Sequence, residues 1–259
     1  MLTIPKDLTH PKAQASKYFF ISHPKSGRTW IRYALHLYFN ALSKTDDMET
    51  FVFRLPRFFG SIHFTHLGYN DKREIGTAAP EAIVSIIQKF EQKKICLFRD
   101  ERDTVVSFYH QLSHRKGSFQ GSLSEFIKHP QYGIESIIRF NSTVYHTLTK
   151  GDPKKYYLTT YENFIDDEWN NFIKLLEFLE WSIDEPLLKK SLSIASFDSM
   201  KQNENQFQSK RLQPASSAPD SSKIRKGVIG NYRLELSQAD IEWVDEQFEK
   251  GSVLNHFHI

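Results

Sequence analysis

The chain has 259 residues, of which 39% are hydrophobic and 25% are charged. This composition excludes a chain that is disordered throughout, and it suffices for one sizeable core. The 34 basic and 31 acidic residues leave a net charge of +3, which is too small for a surface that coats nucleic acid. An anion-binding site must therefore be built locally.

Cysteine content and hydropathy indicate the cellular compartment that we expect. Cys96 is the one cysteine, which excludes an internal disulfide framework and a cysteine-based zinc site. The N-terminal residues lack the basic start and apolar stretch of a secretory signal. No apolar run approaches the roughly 18–20 residues of a membrane span. We therefore expect a cytoplasmic protein that binds neither membranes nor nucleic acid.

The N-terminal third predicts a strand, a tight loop and a helix. Residues 1–16 are polar with two prolines and are predicted to form an arm before a single domain over 17–259. Residues 18–21 form a short apolar run that is typical of a buried strand. This strand ends at His23-Pro24, and apolar residues at helical spacing predict a helix over 30–42.

The middle of the chain repeats this pattern. Residues 51–68 are rich in phenylalanine, and alternation within 62–66 indicates a second strand. A helix over 80–90, with proline in its first turn, precedes a strand over 94–98. A charged loop then leads into a helix predicted over 104–112.

The remainder completes an α/β pattern, which predicts a mostly parallel sheet covered by helices on both faces. Residues 202–222 are polar and rich in serine, and they are predicted to form a mobile loop that covers a site. The remaining predictions are helices over 123–129, 134–148, 164–178, 187–192 and 238–248, and a strand over 155–160.

The first strand-to-helix loop has the composition of an anion site. Lys25, Ser26, Arg28 and Thr29 surround Gly27 at a helix N-terminus, where backbone N–H groups and cations attract phosphate or sulfate. The lysine precedes the glycine, so this is not a Walker A loop. The alternative is an ordinary turn with a helix cap.

The loop PKSGRTW resembles the 5′-phosphosulfate loop of sulfotransferases that use 3′-phosphoadenylyl sulfate (PAPS). Three further segments resemble the family in order, over residues 18 to about 242. They are the 3′-phosphate segment around Arg99 and Ser107, the adenine segment SFDSM with the nucleotide-contacting Tyr161-Glu162, and the C-terminal RKG motif. The resemblance implies a PAPS site of Lys25, Ser26, Gly27, Arg28, Thr29, Trp30, Arg99, Ser107, Tyr161, Ser196, Phe197, Met200, Arg225, Lys226 and Gly227.

Charge supports this resemblance, since PAPS carries roughly four negative charges. Five basic side chains of this site could balance these charges without a metal: Lys25, Arg28, Arg99, Arg225 and Lys226. Helix N-termini at residues 29 and 104 would add N–H donors. The resemblance implies that Trp30 and Phe197 sandwich adenine, whereas core packing is their structural alternative. A salt-bridged helix start is the alternative for Arg99 and Arg102. No spacing among His63, His66 and Asp71 indicates a metal site.

The resemblance also implies two catalytic residues. His66 lies in FTHLG, which is similar to the family segment KTHLP, and is the candidate general base; Lys25 is the candidate to stabilise the leaving oxygen. The family lysine is Phe64 here and the proline is Gly68. Arg28, where many relatives have threonine, could compensate for that lysine. His63 is a rival base, although on a strand it would face away from His66.

The sequence is compatible with two classes of acceptor. Aromatic residues of the phenylalanine-rich segment favour an aromatic or apolar alcohol, whereas its arginines suit an acidic or glycan acceptor, and the phenylalanines could instead be core. The C-terminal segment 233–242 keeps the spacing of a family dimer motif with substitutions, so monomer and homodimer both remain. A nucleotide kinase-like phosphotransferase and a non-catalytic nucleotide- or glycan-binding module are the alternative functions. The residues that favour an aromatic or apolar alcohol are Phe51, Phe53, Phe58, Phe59 and Tyr69. Those that suit an acidic or glycan acceptor are Arg54 and Arg57.

Overall fold

A five-stranded sheet forms the centre of the computed structural model, which describes residues 8–43, 58–68, 79–207, 213–216, 222 and 224–257. The strands lie in the order β2-β3-β1-β4-β5. All neighbours pair in parallel except the short β2, which is antiparallel to β3. The strands are β1 Tyr18–Ser22, β2 Phe58–Phe59, β3 Ile62–Thr65, β4 Lys93–Phe98 and β5 Tyr156–Thr160.

Both faces of the sheet are buried, which explains why its strands are almost continuously apolar. Side chains alternate along β1, so Phe20 joins one core cluster and Phe19 joins the other. Helices cover each cluster, as the sequence pattern predicts. The helices are α1 Pro11–Gln14, α2 Arg28–Leu42, α3 Pro80–Lys89, α4 Glu101–His110, α5 Leu123–Ile127, α6 Ile134–Thr149, α7 Tyr161–Asp166, α8 Glu168–Phe178, α9 Glu185–Ala195, α10 Phe197–Gln202, α11 Tyr232–Glu235 and α12 Gln238–Gly251.

Two predicted helices differ from the observed ones because of their caps. The helix expected over 164–178 is two helices, separated at Asp167, whose side chain accepts a hydrogen bond from Asn170 N (3.1 Å) and caps α8. The helix expected from residue 104 begins at Glu101, because Asp100 caps it by accepting from Arg102 N at 2.8 Å. It passes into a π-helical turn over Gln111–Arg115.

Two segments expected to be loosely attached contain ordered contacts. In the predicted arm, Leu8 and Ala13 are fully buried. The predicted loop 202–222 begins with a short 3₁₀ helix, Glu204–Gln206, and the buried Phe207. None of the helices in the described ranges is both long and apolar enough to cross a membrane.

Candidate active site

A cavity of about 450 Å³ lies at the carboxyl ends of β3, β1, β4 and β5. The loops that follow these adjacent parallel strands meet there, as expected for an open α/β sheet. All of the predicted site residues except the buried Ser26 line this cavity. Those that line it are Lys25, Gly27, Arg28, Thr29, Trp30, His66, Arg99, Ser107, Tyr161, Ser196, Phe197, Met200, Arg225, Lys226 and Gly227.

The loop after β1 forms an anion cradle. Gly27 is the N-cap of α2 with φ +82°, so no side chain caps the first N–H groups of this helix. A Cβ at Gly27 would lie 2.3 Å from Tyr161 Cδ2. The buried Ser26 Oγ has no hydrogen-bond partner among the described residues. Uncapped N–H groups and a buried hydroxyl fit the oxygens of a phosphate or sulfate.

The loop after β4 separates two arginines. Arg99 donates from Nη1 to Lys25 O (3.2 Å) and lies 4.6 Å from the centroid of the Tyr161 ring, inside the cavity. Arg102 instead pairs with Asp100 at 2.6 Å and Asp245 at 2.7 Å. Arg99 Nη2 also lies 3.9 Å from Asp103 Oδ2, so both arginines pair with carboxylates of this helix start. Of the two, Arg99 is the one that lines the cavity.

The second expected helix N-terminus does not serve the site in the same way. The first turn of α4 faces the carboxylate of Asp100, its N-cap. The Asp100 carboxylate satisfies one N–H group of this turn, that of Arg102, and its negative charge disfavours a second anion there. Of the two N-termini that are expected to donate, α2 has no side-chain cap and α4 has one.

The Tyr161-Glu162 pair connects β5 to the neighbouring loops. The Tyr161 hydroxyl donates to Gly227 O at 3.2 Å, and its ring packs edge-on against Trp30. The Glu162 side chain accepts from Asp100 N at 3.1 Å, and burial raises its pKa to about 7. Tyr161 therefore shapes the cavity, and Glu162 holds the loop that carries Arg99.

A carboxylate that the sequence analysis missed holds the RKG segment. Glu235 accepts from Arg225 Nη1 at 2.6 Å, Lys226 Nζ at 3.0 Å and His110 Nε2 at 2.5 Å, and also from Asn231 Nδ2. Burial alone would raise the pKa of Glu235, but these hydrogen bonds hold it well below its usual range. Glu235 thus contacts two cations that were predicted to bind the nucleotide.

Two aromatic side chains lie at the mouth and wall of the cavity. Phe197 is 38% exposed, which contradicts core packing for this residue. Its ring covers Gly227, where a Cβ would lie 2.6 Å from Phe197 Cδ2. Trp30 packs against Phe164 and Phe172 of the core and also lines the cavity.

His66 lies just beyond β3 in a defined tautomer. Its Nδ1 is 2.6 Å from Ser22 O; because a carbonyl can only accept, Nδ1 carries the proton. Arg28 Nη2 donates to His66 Nε2 (2.5 Å), and Arg28 Nη1 donates to Thr65 O (2.7 Å). The imidazole is therefore neutral, and its lone pair faces a guanidinium in the cavity.

The position of the missing family lysine belongs to the core. Phe64 is 2% exposed and stacks with Phe20 and Phe59, at ring-centroid distances of 5.1 and 5.2 Å. His63 is fully buried against Phe19 on the other face of the sheet. Of the two histidines, His66 lines the cavity and His63 does not.

Part of the expected acceptor segment can be located. Phe59 packs against His36 and Phe39 and does not line the cavity, so the core reading holds for it. For Phe58, the structure describes the backbone and not the side chain. The other acceptor candidates, Phe51, Phe53, Arg54, Arg57 and Tyr69, lie outside the described residues, as does Asp71.

Further residues line the cavity that the sequence analysis did not select. Arg32 follows Arg28 by four residues on α2, a spacing that could have identified it. Within the described ranges, no group of three or more histidine, cysteine, aspartate or glutamate side chains is arranged to hold a metal ion. The missed lining residues with polar or charged side chains are Arg32, Asp103, Gln111, Glu168 and Asn231.

Comparison with known proteins agrees with this geometry. The family model for the sulfotransferase domain matches residues 15–256. The sulfotransferase 1 family member D1 of Rattus norvegicus is 24% identical over 250 residues, covering 92% of this chain and 84% of that protein. The luciferin sulfotransferase of Photinus pyralis is 27% identical over 264 residues, covering 89% and 70%.

Two solved structures share the fold. The mouse sulfotransferase SULT7A1 complexed with PAP superposes with a TM-score of 0.63 at 18% identity, covering 92% of this chain and 84% of that one. Retinol dehydratase in complex with androsterone and the inactive cofactor PAP gives a TM-score of 0.62 at 16% identity, covering 90% and 79%.

Proposed function

The chain belongs to the family of PAPS-dependent sulfotransferases, and from this premise we propose that it sulfates a hydroxyl or amine of a small-molecule acceptor. One observation carries the proposal. A single cavity brings together the uncapped N-terminus of α2, the cations predicted to bind PAPS, and a neutral histidine. The proposal assigns His66 as the general base and Lys25 as the group that stabilises the leaving oxygen.

The donor end follows from the cations and the helix terminus. The uncapped N–H groups of α2 and Lys25 hold the phosphosulfate, while Arg99, Ser107 and the RKG segment hold the 3′-phosphate. Trp30 and Phe197 bind the adenine ring between them. PAPS supplies the sulfuryl group and is left as PAP after transfer. Rigid guanidinium forks suit phosphate oxygens better than lysine does.

The acceptor end follows from the tautomer of His66. Nδ1 already donates to Ser22 O, so the acceptor oxygen gives its proton to Nε2, and the hydrogen bond that Nε2 accepts from Arg28 is replaced in that step. A new oxygen–sulfur bond forms while the bond between sulfur and the bridging phosphate oxygen breaks. Lys25 stabilises the negative charge that develops on that bridging oxygen. No part of this scheme assigns a metal.

Transfer of radiolabelled sulfate tests the proposal. The wild-type protein is incubated with labelled PAPS and a panel of phenols, aliphatic alcohols, amines and sugars, and compared with Lys25→Ala and His66→Ala. Loss of a general base lowers turnover by about 10²–10⁴-fold, and loss of an oxyanion donor by about 10²–10³-fold. The exposed Lys150 and His146 provide matched controls as Lys150→Ala and His146→Ala.

Several outcomes would contradict the assignments. A fully active His66→Ala would remove the base, and a fully active Lys25→Ala would remove the leaving-group role. Both variants must melt cooperatively and respond to PAP, so that a loss of activity is not a loss of folding. Tight PAP binding by the wild type without transfer to any acceptor would favour the non-catalytic binding module.

A further inference from the structure

We propose that Asp103 is a positioning residue for the nucleotide, and that its carboxylate holds the RKG segment against Arg99 and Ser107. The inference rests on the proposed function, because it takes these residues to bind the 3′-phosphate of PAPS. It assigns a role to a carboxylate that lines a cavity for an anion. Such a group would by itself repel the phosphate, so its role must come from the contacts that it makes.

Asp103 lies beside two of the residues that are assigned to the phosphate. Arg99 precedes it by four residues, and Arg99 Nη2 lies 3.9 Å from Asp103 Oδ2. Ser107 follows it by one turn of α4, and residues at this spacing have Cβ atoms about 6 Å apart. All three residues line the cavity. The carboxylate is therefore adjacent to both groups from the β4 side of the site.

The same carboxylate reaches a distant segment of the chain. Asp103 Oδ2 accepts from Gly230 N at 2.7 Å, and Asp103 Oδ1 accepts from Tyr232 N at 3.0 Å. These N–H groups lie at the start of α11, whose N-cap residue Asn231 makes no capping hydrogen bond with its side chain. Asp103 therefore supplies, from 127 and 129 residues away, the cap that this helix lacks locally.

This cap determines where the RKG segment can lie. Gly230 follows Gly227 by three residues, and the side chains between them, Val228 and Ile229, are 52% and 38% exposed. Their exposure means that packing contributes little to holding this stretch. The Tyr161 hydroxyl holds Gly227 O at 3.2 Å, and Asp103 holds the backbone on the other side. Loss of Asp103 would therefore let the segment move away from α4.

Two effects of the Asp103 carboxylate on phosphate binding have opposite signs. Asp103 is 3% exposed, and a buried N–H group that loses a charged acceptor is costly. In Asp103→Asn the charge is removed, and the amide oxygen can replace only one of the two carboxylate oxygens as an acceptor. If charge dominates, PAP binds this variant more tightly. If position dominates, PAP binds it more weakly, which is what the inference requires.

The test measures what the 3′-phosphate contributes to binding. Calorimetry gives the Kd of PAP, and of adenosine 5′-monophosphate (AMP), which lacks the 3′-phosphate, for the wild type and for each variant. We expect the preference for PAP over AMP to fall about tenfold or more in Asp103→Asn. The control is Asp240→Asn, because Asp240 is 7% exposed, accepts from Ser124 and Ser237, and is not among the residues that line the cavity. It should keep the wild-type preference.

Kinetics distinguish positioning from a general loss of structure. In Asp103→Asn, the KM for PAPS should rise in step with the lost preference, while kcat at saturating PAPS should change much less. Lys25 and His66 are assigned to the sulfuryl end of PAPS, and an interaction used only for binding affects KM rather than kcat. A fall in kcat with an unchanged KM and an unchanged preference would overturn the positioning role.

The outcomes separate this inference from the proposed function. A wild type that binds PAP no more tightly than AMP would overturn the assigned 3′-phosphate site, and the inference with it. A wild-type preference that persists or grows in Asp103→Asn would overturn the inference alone. A preference that depends on Asp103, without transfer to any acceptor, would sustain the inference and overturn the sulfotransfer proposal.

A second variant keeps the inference testable if Asp103→Asn does not fold. Asp103→Glu keeps the charge but displaces the carboxylate by one methylene group. We expect it to lose part of the preference for PAP over AMP, because the two N–H groups and Arg99 can no longer all be met in the same geometry. Retention of the whole preference in Asp103→Glu would overturn the inference.

Discussion

Arg28 Nη2 lies 2.5 Å from His66 Nε2, so the nitrogen assigned to accept a proton already accepts a hydrogen bond from a permanent cation. The same guanidinium donates to Thr65 O, and Ser22 O holds the other ring nitrogen. This arrangement fixes the orientation of the imidazole.

Replacing Arg28 should therefore disturb the geometry of the proposed base. In Arg28→Thr, we expect turnover at neutral pH to fall about tenfold or more, because the imidazole is no longer held in one orientation. Arg28→Lys, which keeps the charge but not the planar pair of donors, should restore only part of that turnover. An Arg28→Thr protein with unchanged PAP affinity and turnover would remove any role for Arg28.

We expect alanine at Gly27 to fail for two reasons, backbone strain and a steric clash, and Gly117 serves as a control that has the strain alone. Gly27→Ala combines a positive φ with a Cβ that would meet the Tyr161 ring at 2.3 Å. At Gly117, φ is +62° and no atom lies within 4 Å of the added Cβ. We expect both alanine variants to lose about 1 kcal/mol or more of stability. Gly27→Ala alone should lose PAP binding, measured by the rise in Tm, and retention of that rise would contradict the cradle.

Glu235 should compete with a bound phosphate for Arg225 and Lys226. In Glu235→Gln, we expect the Tm of the ligand-free protein to fall, because buried donors lose a charged acceptor. The increase in Tm caused by PAP should become larger, since two cations are released for the ligand. Glu246→Gln, at an exposed pair with Lys250, is the control. A smaller PAP effect in Glu235→Gln would mean that Glu235 orients these cations instead.

Glu101 should make stability depend on pH. Its side chain is fully buried and accepts from Asn141 Nδ2 and Ser252 Oγ, and burial raises its pKa from the ordinary 4.5 to about 7. The folded state therefore binds a proton that the unfolded state loses. Stability from this group is present below about pH 4.5 and is lost as the pH rises towards 7, on the order of 3 kcal/mol.

A neutral variant isolates this effect. Chemical denaturation between pH 4.5 and 8 gives the free energy of unfolding of the wild type and of Glu101→Gln. In the difference between the two proteins, the contributions of all other titrating groups cancel. We expect that difference to shift in favour of Glu101→Gln as the pH rises. A difference that does not vary with pH would show that Glu101 titrates alike in both states.

The parts of the site that the sequence predicts are those set by contiguous residues. The loop around Gly27 follows a strand and begins a helix, so its role depends on local order and a short motif. The parallel sheet follows equally from alternating apolar runs, and the fold comparison and the strand order confirm it. The resemblance of the RKG segment to a family motif predicts that it belongs to the site, and the segment lines the cavity.

The residues that the sequence does not predict depend on contacts between distant segments. Glu235 holds Arg225 and Lys226 of the cavity wall and also accepts from His110, 125 residues earlier. Arg102 pairs with its neighbour Asp100 and also with Asp245, 143 residues later. No local pattern encodes the contacts with His110 and Asp245. The cytoplasmic location, the mobile loop, the oligomeric state and the nature of the acceptor stay predictions.

The hydrogen bond from Arg99 to Lys25 O joins two loops that are 74 residues apart in the chain. Its donor and acceptor follow β4 and β1, so it exists only while these central strands are paired. A ligand held by both loops therefore binds only the form in which β1 and β4 are paired, and not a partly opened form in which they have separated. Saturation with PAP should accordingly slow amide hydrogen exchange throughout β1 and β4, far beyond the residues that touch the nucleotide, and should protect the whole chain against proteolysis.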